Sequence, residues 1–172
     1  MQIEIITKMV IMLLHIGGGV IWIGGLFYLR LLLLPTLAAA APTVRGPILM
    51  ELGPKTVRLF LRIAEVTLVT GFINIFLLSR LTRMSDFYTT AWGLSIGLGM
   101  AASVAIYGIG QAVTAPVTRK VAATLRDIGT GQAAPDAGAI LPGLAARQMR
   151  ALNVQVVLGL FTVVCMAVAR FS

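Results

Sequence analysis

The chain has 172 residues, of which 58% are hydrophobic and 12% charged, and its 14 Lys and Arg against 6 Asp and Glu give a formal net charge of +8. An ordinary soluble domain carries about 25% charged residues. The mean hydropathy of +0.95 and the long apolar runs therefore exclude a soluble globular enzyme, a disordered chain and a nucleic-acid-binding protein.

The residues predict an all-α protein, an integral membrane four-helix bundle built as one domain over 1–172. The first span is read over 9–34, where His15 is the only ionisable residue before Arg30, and this exceeds the roughly 20 residues a bilayer crossing needs. Pro35 is expected to end it. The run is also too long for the apolar region of a signal peptide, about 7–15 residues, so it is expected to be retained as a helix. The Ala-, Pro- and Gly-rich stretch 38–54 reads as an irregular connection. A second span follows over 57–78 and a third over 90–113, with Pro116 just beyond. Residues 114–150 read as a longer cytoplasmic loop, in which 117–127 either extends the third helix or lies on the inner leaflet. Its Gly129-Thr130-Gly131 lacks the Lys-Ser/Thr and flanking strand of a phosphate loop. The fourth span is read over 151–169. Helices are the expected spanning elements, because no run of alternating strands of about ten residues suits a barrel.

The basic residues set the expected orientation. Arg30, Arg45, Lys55, Arg58 and Arg62 flank the first connection, and Arg119, Lys120, Arg126, Arg147 and Arg150 the third, ten against Lys8, Arg80, Arg83 and Arg170 on the other side. The positive-inside rule then puts both termini outside the cell (inner) membrane, with the lipid bilayer as the principal partner. The lone Cys165 sits in an apolar run and supports no disulfide framework.

Few residues in the spans can carry chemistry. His15 lies about 9 Å below the outer face at 1.5 Å per residue. Gly18 and Gly19 share its helical face, and Trp22 follows a turn later. This group reads as space for a flat cofactor beside a ligand, as a proton-handling site, or as close helix packing. Arg58, Arg62 and Glu65 line one face of the second helix, and Glu65 is expected to be paired or protonated at its depth. Arg147 and Arg150 with Asn153 open the fourth helix, either as an interfacial anchor with an interhelical amide hydrogen bond or as a polar site. Gly93, Gly97 and Ala101, with an offset row of Ser95, Gly99 and Ser103, suit packing within the chain, across a homodimer or in a larger membrane complex. Phe87, Tyr88 and Trp92 read as an outer aromatic belt. Met12, Met100 and Met166 are apolar fillers or thioether ligands for heme iron or copper.

The pair Leu14-His15 followed by Trp22-Ile23-Gly24-Gly25-Leu26 resembles the opening helix of two related families, the HemJ-type protoporphyrinogen oxidases and the CopD copper-resistance membrane domain. Arg30 before leucines, Arg150-Ala151-Leu152-Asn153 and Arg170-Phe171 also resemble the HemJ pattern. The third-helix histidine and lysine of that family have no counterpart in 92–98, and Val154 stands where its last-helix glutamate would be. The resemblance thus implies the fold and b-type heme, with a redox or heme-related role, rather than the oxidase reaction itself. Copper or cation handling of CopD type, drawing on Glu65 and the methionines, is the alternative. An accessory membrane subunit without chemistry of its own is a third.

With His15 as proximal ligand, Met166 is the expected sixth ligand at similar depth, and Arg80, Arg83 and Arg170 the expected partners of propionates. No second histidine exists, so two histidine ligands would require a second copy of the chain.

Overall fold

The computed structural model describes residues 2–78 and 85–172. Helix α1 (Gln2–Tyr28) runs through a π turn (Leu29–Leu33) into α2 (Leu34–Ala39), and α3 (Pro42–Leu78) returns antiparallel to it. The short α4 (Asp86–Thr89) precedes α5 (Ala91–Ile109), which passes through a second π turn (Gly110–Thr114) into α6 (Ala115–Gly129). A short 3-10 turn (Ala137–Ile140) leads to α7 (Leu141–Phe171), and the described residues contain no strand. The protein is all-helical, and three of its helical stretches, Gln2–Ala39, Ala91–Gly129 and Ala137–Phe171, are long and apolar enough to cross a membrane. Helix α3, 37 residues long, carries Arg58, Arg62 and Glu65 within the stretch expected to span.

The outward faces are apolar on every long helix. Val20 on α1, Val69 on α3, Leu98 on α5 and Val157 on α7 are all exposed, which is the surface of a body solvated by hydrocarbon rather than water. The chain sequesters its few polar groups instead. Trp22, Ile23, Leu26, Ala64, Ile106 and Leu152 make the buried centre, with one or more residues from each long helix. Gln155 is buried there, its amide donating to the Ile106 carbonyl (3.1 Å) and its Oε1 accepting from the Thr114 hydroxyl (3.2 Å). Gly110 permits that approach, since a Cβ there would meet Leu61 at 3.0 Å.

Helices α1 and α3 interlock with a seven-residue period. A Cβ on Gly18 would clash with Thr67, and one on Gly25 with the ring of Phe60. Each pair is displaced by seven residues from the other, in opposite chain directions, as in an antiparallel heptad seam.

The prolines do not break the helices where the sequence alone would end them. The Leu34 amide donates to Leu29 O and the Ala115 amide to Gly110 O, five residues back in each case. Pro35 and Pro116 come next, where the widened turn relieves the clash between the pyrrolidine ring and the carbonyl four residues behind. Inside α3, Pro47 and Pro54 each follow a glycine, Gly46 and Gly53, so the Cβ that would collide with the proline ring is missing. Residues 38–54, expected to be irregular, are therefore mostly helix from Pro42 onward. The expected loop over 114–150 is likewise mostly helical: α6 continues the third helix, and the non-helical connection shrinks to 130–136. Gly131, at φ 69°, closes α6 in the left-handed region that glycine adopts without strain.

Candidate cofactor site

At the end of the bundle formed by the starts of α1 and α5 and the ends of α3 and α7, a cavity of about 490 Å³ opens. His15, Trp92, Met100, Met166 and Arg170 line it, together with Met12 and Asn74. The volume falls within the roughly 300–1,000 Å³ of small-molecule and cofactor sites.

The chemistry of His15 is set by one contact. Its Nδ1 lies 2.9 Å from the backbone carbonyl of Thr67. A carbonyl only accepts, so Nδ1 must donate, and in the neutral ring Nε2 keeps a free lone pair. An imidazole held at one nitrogen by a backbone carbonyl, with the other nitrogen taking no hydrogen bond among the described residues, has the arrangement of a metal-ligating histidine. Gly71 makes room for the ring, because a Cβ there would stand 2.7 Å from His15 Cε1. Asn74 Oδ1 is buried with no hydrogen-bond partner among the described residues. Such an orphaned acceptor is costly unless a bound group or water reaches it.

The candidate residues separate clearly in space. His15, Met166 and Arg170 share the cavity, joined by Met12 and Met100. Gly18 and Gly19 face Thr67 and serve the packing of α1 on α3, rather than opening space beside the imidazole. Trp22 is in the core, 4% exposed, and does not line the cavity. Arg80 and Arg83 lie outside the described residues. Trp92, expected as part of an outer aromatic belt, is half-buried on the cavity wall. From the offset row on α5, Gly99 faces Met166 and Cys165 of α7, so that position packs within the chain.

The other polar candidates form a second group toward the start of α3, reaching from Glu65, about 9 Å along the helix from Gly71, to Arg58, about 20 Å from it, at 1.5 Å per residue. Arg62 pairs with Glu65 at 2.7 Å, and the Tyr107 hydroxyl donates to the other carboxylate oxygen at 3.0 Å. Gln111 Nε2 donates to that hydroxyl at 2.8 Å. Glu65 is thus paired. Asn153 accepts from Arg30 Nε, joining α7 to the π turn after α1, while Arg150 is exposed. Replacing Glu65 by Gln keeps one carbonyl acceptor for Arg62 and turns an amide N–H toward the Tyr107 hydroxyl, which can accept it, whereas Lys strands both partners beside a third positive charge. We expect E65K to lose roughly 1–3 kcal/mol of stability and E65Q much less. Thermal unfolding of the two variants in the same detergent checks this; equal midpoints would contradict it.

Comparison with protein-family models, curated proteins and solved structures finds no match for this chain. Among the described residues no group of three or more His, Cys, Asp or Glu could hold a metal, so a metal here would rest on His15 and thioethers. Sequence reasoning missed Gly71 and Asn74. Both lie on α3, a whole helix away from His15, and only their spacing of four and seven residues from Thr67 hints at a shared face.

Proposed function

We propose that the protein is a four-span integral membrane protein of the cell membrane that binds one b-type heme in the His15 cavity and serves a redox or heme-related role. The observation that carries this reading is the Nδ1 hydrogen bond of His15 to the Thr67 carbonyl, which leaves Nε2 as a ligand in a cavity of cofactor size. The other lining groups fit the same cofactor. Met166 offers a thioether for the sixth position, Arg170 a guanidinium for a propionate, and Trp92 a flat apolar wall. The orphaned Asn74 Oδ1 gives a further polar anchor. When bound, heme would supply one-electron chemistry. The chain's own part is to hold the imidazole in one tautomer, to cover the site with apolar side chains, and to keep charge at its rim.

A second reading follows from the three methionines. Met12, Met100 and Met166 line the same cavity as His15, a soft donor set that suits monovalent copper. Absorption spectroscopy and metal analysis of the purified protein separate the two. A Soret band with about one iron per chain supports heme; copper without a Soret band supports the second reading and overturns the first.

The span over 57–78 completes the crossing in this reading, with both termini outside as the ten-to-four basic asymmetry requires. A reporter fused after Ser172 is expected to be active only outside the cytoplasm. Cytoplasmic activity would overturn the orientation.

A further inference from the structure

At the end of the bundle opposite His15, a second cleft of about 280 Å³ lies between α3 and the π turn leading into α6. Its polar lining is Arg58, Arg62 and Glu65 from α3, with Gln111 and Arg119 from beyond α5. Arg62 is committed to Glu65, and Gln111 to Tyr107. Arg58 and Arg119 have no ion pair or hydrogen bond among the described residues. Three guanidiniums against one carboxylate leave a surplus of two positive charges on the walls of a small cleft. Val57 and Leu61 supply an apolar side, which lowers the local screening of those charges.

The fold builds this juxtaposition. The chain continues through the π turn into α6, which packs on α3, and a Cβ on Gly53 would stand 3.1 Å from the Thr118 methyl. That close approach brings Arg119, the next residue, to the same cleft as Arg58. Two free guanidinium forks from different helices suit a tetrahedral anion, whose oxygens can serve both at once, and a dianion matches the surplus charge.

We propose that this cleft binds a phosphate group, carried either by an anionic phospholipid headgroup or by a soluble phosphate compound. The site is independent of what occupies the His15 cavity. Removing Arg58 and Arg119 breaks no hydrogen bond or ion pair among the described residues, and both are exposed, so the variants are expected to fold.

The test uses the full chain and compares the wild type with R58Q/R119Q, R58K/R119K and a control, R126Q/R147Q, whose arginines lie outside the cleft. One arm measures thermal unfolding in nanodiscs of phosphatidylglycerol against phosphatidylcholine. The other titrates inorganic phosphate and pyrophosphate in a neutral detergent at constant ionic strength. Stabilisation by phosphatidylglycerol alone, lost in R58Q/R119Q and kept in the control, identifies a lipid headgroup. Stabilisation by the soluble anions, with an apparent affinity weakened roughly tenfold or more in R58Q/R119Q, partly restored by lysine and unchanged in the control, identifies a soluble ligand. If neither arm stabilises the wild type, or if R58Q/R119Q and the control respond alike, the proposal is wrong.

Discussion

Replacing His15 by alanine is expected to abolish heme retention while leaving the helical content and monodispersity of the protein intact. Among the described residues the imidazole makes one hydrogen bond, to the Thr67 carbonyl, and otherwise lines a cavity, so little packing is lost with it. What is lost is the only imidazole in the chain. Met166→Leu keeps the apolar volume and removes a thioether; it is expected to change the spectrum and raise reactivity toward small ligands, without releasing the cofactor. Gly71→Ala tests the same geometry from the other side. The added Cβ would stand 2.7 Å from His15 Cε1 and displace the ring from its carbonyl, and disturbing a partner that orients a ligand typically costs about 10–100-fold in affinity. Full Soret absorbance in purified His15→Ala protein would remove His15 from the site.

Gly25→Leu is expected to be the most damaging single change to the fold. Even a Cβ at Gly25 runs into the Phe60 ring, and the whole leucine side chain would have to fit the seam where α1 meets α3. Overpacking a tight site costs roughly 1–3 kcal/mol and sometimes more. Here the relief available is separation of two helices along their length, so the upper end of that range is expected. Gly24→Leu, one residue away, has nothing within 4 Å of its Cβ and faces outward. It is expected to leave the thermal midpoint nearly unchanged. If both leucines destabilise equally, the seven-residue seam of Gly18 and Gly25 against Thr67 and Phe60 is not the contact that holds α1 to α3.

The contrast between these two glycines shows what a sequence can and cannot display. The apolar runs of α1, α5 and α7 are legible directly, because hydrocarbon leaves few alternatives to a continuous helix. The Arg62–Glu65 pair is legible too, since its partners are three residues apart on one helix. Gly18 was not. Its place on the His15 face suggests open space, but Thr67, 52 residues away from His15, fills that side of the helix. The glycine that does clear the imidazole, Gly71, sits across the interface. Tyr107 as a second partner of Glu65 is hidden for the same reason, being 42 residues distant in the chain.

The prolines misled in a different way. A ring without an N–H reads as a helix end, and nothing in the local sequence announces the π turns that carry the helices past Pro35 and Pro116. Those turns matter to both sites. The second leads into α6, which packs on α3 and supplies Arg119 to the arginine cleft. Met12, Met100 and Met166 stood out as possible thioether ligands, yet only the packing of α1, α5 and α7 in the bundle brings all three to one cavity.

In the proposed function His15 Nε2 is an iron ligand in a cavity of one chain. Titration of hemin into cofactor-free protein in detergent, followed at the Soret band, tests it most directly. A saturable spectral shift with one site per chain is expected in the wild type and none in His15→Ala. A wild-type protein that gives no saturable shift, or a shift that survives unchanged in His15→Ala, would contradict it.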